Sequence, residues 1–233
     1  MKVPNQKFKY YDLMMAAFVT VLICSNIIGP AKLATATFFG KEFIYGAGVL
    51  FFPLSYVFGD VLTEVYGYAH ARKVIWVGFV RVFFASLMSY IIVKLPAAPG
   101  WEGQEAYALI FGQVPRIVLA SLIAFMVGEM INAYVMAKMK IWTQGRYLWT
   151  RTIGSTILGQ GSDSLIFYPI AFYGIWENSI LITVMLSNFV IKVGWEAILT
   201  PVTYKVVNFL KRAENVDIFD NKTVFTPFKI NTD

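Results

Sequence analysis

At 233 residues, 58% hydrophobic and 17% aromatic, with a mean hydropathy of +0.60, the chain lies outside the composition of soluble domains and of disordered segments. Its formal charge of +6 invites a nucleic-acid reading, but the cations sit where membrane topology would place them, as shown below. One cysteine and one histidine, Cys24 and His70, give no basis for an intramolecular disulfide or a transition-metal site.

Lys2, Lys7, Lys9 and Asp12 precede a first apolar run over 13–34, which outlasts a signal-peptide core and has no small-residue cleavage site. It reads as a retained helix carrying Asn26 and Lys32. The second run, 43–65, spaces Tyr56, Asp60 and Glu64 by four residues, which puts a hydroxyl and two carboxylates on one helical face. Pro53 in that run predicts a kink near mid-membrane. The third run, 74–95, contains Arg81, and a Pro- and Gly-rich connection follows over 96–112, in which 105–111 is weakly amphipathic and suited to the outer surface.

The fourth run, 114–138, contains Arg116 and Glu129, and Arg116 opens the same Arg-x-x-x-Ala-Ser-Leu string as Arg81. Its small residues favour close helix packing. The fifth run, 150–175, holds Arg151, Gln160, Asp163 and Ser164 in a polar, Gly-rich patch where backbone can approach a ligand. Only a few residues separate it from the sixth run, 179–210, so the two form a tight antiparallel hairpin. The sixth run places Asn188, Lys192, Glu196 and Thr200 at helical spacing, with Pro201 directly after Thr200. From Ala213 the chain turns polar.

These runs are each long enough for a hydrocarbon core of about 30 Å, and they predict an all-α membrane protein with six transmembrane helices. Thirteen Lys and Arg residues fall in the termini and the even connections, against Lys41 and Lys94 in the odd ones, which predicts cytoplasmic N and C termini. The expected organisation is a single six-helix domain over 1–212 and a polar cytoplasmic tail over 213–233.

Apart from Lys94, Lys138 and Lys205, which are counted with the connections and the tail, ten ionisable residues lie within these segments: Lys32, Asp60, Glu64, Arg81, Arg116, Glu129, Arg151, Asp163, Lys192 and Glu196. At a helix centre each would cost roughly 2.5–3.5 kcal/mol if it faced lipid, so all ten are expected to face inward and to neutralise one another, five acids against five bases. Arg81 or Arg151 is expected to answer Asp60, Glu64 or Asp163. Converging in a wet, lipid-shielded pocket, such carboxylates accept N–H donors, Gln and Asn amides read a second edge, and aromatic rings stack. That inventory suits a planar polar heteroaromatic solute. The candidate binding or coupling set is Asn26, Tyr56, Asp60, Glu64, Arg81, Arg151, Gln160, Asp163, Asn188, Lys192 and Glu196.

Several strings resemble one family: Ser25-Asn26 with Lys32; Pro53-Leu-Ser-Tyr56 followed by Asp60-Val-Leu-Thr-Glu64-Val-Tyr-Gly67; Trp149-Thr-Arg151-Thr-Ile-Gly-Ser155 with Gln160 and Asp163-Ser164; and Lys192-Val-Gly-Trp195-Glu196 with Thr200-Pro201. They are similar to the queuosine precursor transporter family, formerly catalogued among vitamin uptake transporters, and the similarity runs through all six segments. The resemblance implies a bacterial inner-membrane importer of 7-deazaguanine bases or queuine for salvage into tRNA. It implies a small-molecule nucleobase and the lipid bilayer as partners, no cofactor and no nucleic acid, and it leaves room for a homodimer. No Walker-type phosphate loop is present, so this chain does not hydrolyse ATP. The alternative is a substrate-binding subunit that relies on a separate energising ATPase complex. An intramembrane enzyme is disfavoured because His70 lies in a connection and no paired-aspartate arrangement is evident.

Overall fold

The computed structural model describes residues 8–28, 32–38, 41–47, 51–112 and 115–229. Helix α1 (Tyr11–Ile23) continues into one π-helical turn, Cys24–Ile28. An antiparallel hairpin follows, β1 (Leu33–Phe38) and β2 (Lys41–Gly46), in a register that pairs Leu33 with Gly46 and Phe38 with Lys41. Then come α2 (Phe52–Tyr66), α3 (Tyr68–Lys94), α4 (Gln104–Phe111), α5 (Pro115–Trp142), α6 (Leu148–Phe172) and α7 (Asn178–Glu214).

The hairpin corrects both of the first two predicted helices. Residues 33–34, placed at the end of the first run, and 43–46, placed at the start of the second, are strand. Apolar runs this short do not distinguish strand from helix by periodicity, and Thr35, Thr37 and Ile44 are β-branched while Phe43 and Tyr45 are aromatic, types that favour a pleated ribbon. Pro53 is likewise corrected. It stands in the first turn of α2, where its missing N–H costs nothing and its fixed φ starts the helix instead of kinking it.

At 15 residues α2 spans only about 22 Å, less than a hydrocarbon core. It is nevertheless the most enclosed helix, packed by α1, α3, α5 and α7 and buried almost continuously from Asp60 to Tyr66. The apolar core forms around it from Phe18, Val61, Leu62, Val65, Tyr66, Val74 and Met136. Among the described residues, four segments are long and apolar enough to cross a membrane: Tyr11–Ile28, Tyr68–Lys94, Gln104–Trp142 and Asn178–Glu214. Helix α6 has the length, but Arg151, Gln160 and Asp163 lower its apolarity. The architecture is that of a helical, multi-pass membrane protein.

Two close approaches fix the bundle. A Cβ on Gly128 of α5 would lie 3.0 Å from the Gly159 carbonyl of α6, and one on Gly159 would lie 2.9 Å from the Gly128 carbonyl, so the two backbones touch where only glycine fits. Gly67, at φ +81°, is the single residue between α2 and α3. Substituting Gly159 by Leu is expected to destabilise the protein by about 3 kcal/mol through overpacking, seen as a lower midpoint in detergent thermal unfolding.

Helix α4 has no buried residue and leans on α3, with Gln104 Nε2 donating to the Val93 carbonyl at 2.9 Å. The predicted hairpin of the last two helices is formed by α6 and α7, which are joined through Tyr173–Trp176 with Phe172 stacked on Trp176 at 3.9 Å. After α7 the chain folds back over the ends of α2, α3 and α5. Tyr68 N–H donates to Asp220 at 3.1 Å, Arg72 donates to the Val224 and Thr226 carbonyls, and Trp76 donates to the Pro227 carbonyl. At the same end the Glu214 carboxylate accepts from the backbone of Lys9 and Tyr10 and from Tyr66 Oη, which ties α7 to the start of α1.

Candidate functional site

Polar side chains in the helix interior separate into two clusters. The first surrounds Glu64, which is fully buried. Arg151 grips it with two bonds, Nε to Oε2 at 2.7 Å and Nη2 to Oε1 at 2.9 Å. The remaining guanidinium N–H groups reach the Gly145 and Arg146 carbonyls and Thr143 Oγ1, which the turn between α5 and α6 presents. All five donors of Arg151 are thereby engaged. Lys211 adds a 2.6 Å contact to Glu64, and Lys140 lies 3.4 Å from the carboxylate while donating to the Glu64 carbonyl at 2.8 Å. Both lysines also meet Asp217, at 2.7 Å and 2.8 Å. Burial works against the Asp217 carboxylate, but the two ammonium groups outweigh it and hold the group below the usual aspartate range. Glu64 and Arg151 thus form a saturated clamp between α2, α5, α6 and α7.

The second cluster lies one to two turns earlier on α2. Asp60, fully buried, accepts from Asn132 Nδ2 of α5 at 3.1 Å and has Glu196 of α7 and Glu129 of α5 as acidic neighbours. Glu196 is fully buried and Glu129 nearly so. Tyr56, one turn before Asp60, neighbours Glu129, Glu196 and Asp163. At the edge, Lys192 bonds Asp163 at 2.6 Å, with the two side chains 17% and 19% exposed, and lies 5.6 Å from the Phe52 ring centroid. Tyr56 Oη, Asp60 Oδ2, Asn132 Oδ1, Ser164 Oγ and both Glu196 oxygens are buried without a hydrogen-bond partner among the described residues. Unmet polar atoms are rare in protein interiors and ask for a ligand, water or proton.

The remaining predicted residues lie apart or at the margin. Asn26 sits in the π-helical turn, donates to the Leu22 carbonyl and accepts from Ser121 Oγ at 3.0 Å, which links the turn to α5. Gln160 is buried on α6, one turn before Ser164. Asn188 is half-buried and donates to the Val184 carbonyl within α7. Arg81 is exposed on α3 and, among the described residues, joins neither cluster. Replacing Arg81 with Gln is expected to shift the unfolding midpoint by less than about 0.5 kcal/mol in equivalent stability.

The expectation that all ten charges face inward is also corrected. Lys32, Arg81 and Arg116 are exposed, and Arg116 instead caps α6 by donating to the Ile170 and Tyr173 carbonyls. The five acids stay buried or half-buried. Long cationic side chains can carry their charge out of an apolar layer, whereas Asp and Glu cannot. The balance of acids and bases is therefore lost: around Asp60, four carboxylates face the single ammonium of Lys192.

Sequence reasoning passed over Asn132, Lys140, Lys211 and Asp217, and left Glu129 out of the site. The signal for the first two was present, since Glu129, Asn132, Met136 and Lys140 form a stripe at helical spacing on α5. Lys140 had been read as a connection residue because the apolar run ends at 138.

The pocket expected for a flat base is not open among these side chains. The cavity between Gly59, Thr63, Glu129 and Asn132 has a volume of about 10 Å³, room for about one water. A larger hollow of about 570 Å³ is lined by α7 residues alone, Lys205 to Ala213, away from the carboxylates.

Residues 46–206 match the family described as "Putative vitamin uptake transporter". The chain is 31% identical over 82% of its length, and of the relative's, to a "Probable queuosine precursor transporter" of Bacillus subtilis (strain 168). The chain belongs to this family. Within the vitamin uptake transporter family it is also 32% identical, over 54% of each chain, to the "Queuosine precursor transporter" of Escherichia coli (strain K12). With the "Probable queuosine precursor transporter" of Haemophilus influenzae it shares 31% identity over 54% of this chain and 51% of the relative's. No solved structure matches it. Membership makes the protein a membrane transporter and not an enzyme, and it gives the buried polar clusters a transport context.

Proposed function

We propose that the chain is a six-span inner-membrane importer of queuosine precursors, 7-deazaguanine bases or queuine, working by secondary or facilitated transport with both termini in the cytoplasm. The observation that carries this reading is the group of buried acceptors without partners, Asp60, Glu196, Asn132 and Tyr56, at the helix interior where α2, α5 and α7 meet. A guanine-like edge offers adjacent N–H donors to a carboxylate, and the unmet Asn132 Oδ1 can accept a further N–H. Gln160, Ser164 and the Asp163–Lys192 pair border this region from α6 and α7.

The saturated Glu64–Arg151 clamp serves in this reading as the cytoplasmic closure, and the basic residues at its end match the positive-inside pattern. Helix α2, too short to span alone, and the polar α6 complete six crossings. Discontinuous or short helices are common where transporters build a midplane site.

The test uses cells unable to make the precursors, supplied separately with each 7-deazaguanine and with queuine. Queuosine in tRNA is expected with this gene and not without it. Failure of every base to restore it sinks the assignment. If restoration appears only when a separate ATPase complex is co-expressed, the chain is a binding subunit instead. Within the site, Asp163→Asn and Lys192→Gln are each expected to lower uptake, and the double change to lose less than the sum. An additive loss in such a cycle would refute their pairing.

A further inference from the structure

We propose that Asp60 and Glu196, with Glu129 beside them, bind an exchangeable proton that is moved together with the base. This rests on the transport reading above and names its coupling ion. Asp60 and Glu196 are fully buried and neighbour each other across α2 and α7, and Glu129 approaches from α5. Two adjacent buried carboxylates repel each other when both are ionised. A proton held between them removes that repulsion.

The elements packed around the acids leave them no free countercharge among the described residues. Helix α2 contributes Tyr56 and, further along, Glu64, which Arg151, Lys140 and Lys211 already claim. Helix α5 brings Glu129 and the neutral Asn132, α6 brings Asp163, and α7 brings Lys192 and Glu196. Lys192 is taken by Asp163 at 2.6 Å. At this level α1 and α3 present Phe18, Ala71, Val74 and Ile75, none of them charged.

The unmet atoms mark the occupant. Tyr56 Oη and Asn132 Oδ1 are buried without partners beside the acids, on residues 5% exposed, and so are Asp60 Oδ2 and both oxygens of Glu196. A protonated carboxyl turns an acceptor into a donor and satisfies two such atoms at once. A base could meet the same atoms once the helices part, but in this closed arrangement the adjoining cavity of about 10 Å³ has no room for one, and what the acids can hold here is a proton. Among the described residues no three carboxylates converge tightly enough to ligate a metal ion. A proton fits both constraints.

Two measurements test this on the full chain. Infrared difference spectra between acid and alkaline pH, recorded without substrate, should contain a protonated-carboxyl stretch that shifts in deuterium oxide and is reduced in Asp60→Asn and in Glu196→Gln. Absence of the band from the unaltered protein, or its persistence at full strength in both variants, overturns the proposal. In proteoliposomes, neutral 7-cyano-7-deazaguanine should accumulate several-fold when the outside is acidic, and a protonophore should abolish the accumulation. Equilibration indifferent to the pH gradient overturns the proton while leaving transport intact. If the unaltered protein moves no base under any gradient, the transport reading fails, and the infrared result still decides whether the proton is there. The infrared measurement on unaltered protein does not depend on either variant folding.

Discussion

Glu64→Gln is expected to be among the most damaging single substitutions in the chain, lowering stability by about 3–5 kcal/mol. The change keeps size and shape but removes the one charge that faces Arg151, Lys140 and Lys211 together. Arg151 is 1% exposed and Lys140 2%, so neither cation can turn to water without moving a helix. Breaking a buried pair leaves an uncompensated charge, and here two such charges remain beside Lys211. Asp217 offers partial relief to the lysines but not to Arg151, whose other acceptors are the neutral groups of the 143–146 turn. Thermal unfolding in detergent checks the prediction, and Arg151→Lys provides the companion. A lysine carries the charge but cannot supply the fork that engages both Glu64 oxygens and the turn carbonyls, so a loss of about 2 kcal/mol or more is expected there as well. Stability unchanged by either substitution would mean that the clamp does not hold these helices together.

The same cluster shows what the sequence could and could not reveal. Steps of four on α2 placed Tyr56, Asp60 and Glu64 on one face, and the structure buries all three. Arg151 was one of two arginines expected to answer them, and it does answer Glu64. Which of two arginines would turn inward was not legible, because a long cationic side chain near a helix end reaches either the interior or the surface at similar cost. Arg81 took the surface. Partners from other helices were invisible for a different reason: periodicity gives the face of one helix but not the rotation of its neighbour. Glu129, already among the charges expected to face inward, and Asn132 could therefore not be set beside Asp60 without the crossing of α5 and α6 at Gly128 and Gly159. The apolar pattern recovered α5 and α7 closely, but it began α3 at 74 and left in a connection the first six residues of that helix, His70 among them. It failed at the hairpin, where strand and helix compete for the same short run of β-branched and aromatic residues.

Removing the segment after Glu214 is the second large expectation, with a predicted loss of about 3 kcal/mol or more. Its described residues, 215–229, contain no helix, yet they perform two jobs that helices cannot perform for themselves. Asp220, 4% exposed, accepts from the first N–H of α3 at 3.1 Å, and a carboxylate there meets the positive end of the helix dipole. Gly67 before it has no side chain to serve as a cap, and a Cβ at that position would meet Ile218 at 2.9 Å. Arg72, 1% exposed, donates to the Val224 and Thr226 carbonyls, and Phe225 packs against Tyr68 with Lys138 over its ring. Loss of the cap alone is worth about 1 kcal/mol, and depriving a buried guanidinium of two carbonyls costs more. Asp220→Ala separates the two contributions, since it removes the cap and leaves the Arg72 contacts in place. It should show about 1 kcal/mol, against the larger loss on truncation. Because the same segment supplies Asp217 to Lys140 and Lys211, truncation should also loosen the Glu64 clamp, measurable as faster amide hydrogen exchange at the 143–147 turn. Exchange there as slow as in the intact chain would show that the clamp closes without help from the segment beyond α7.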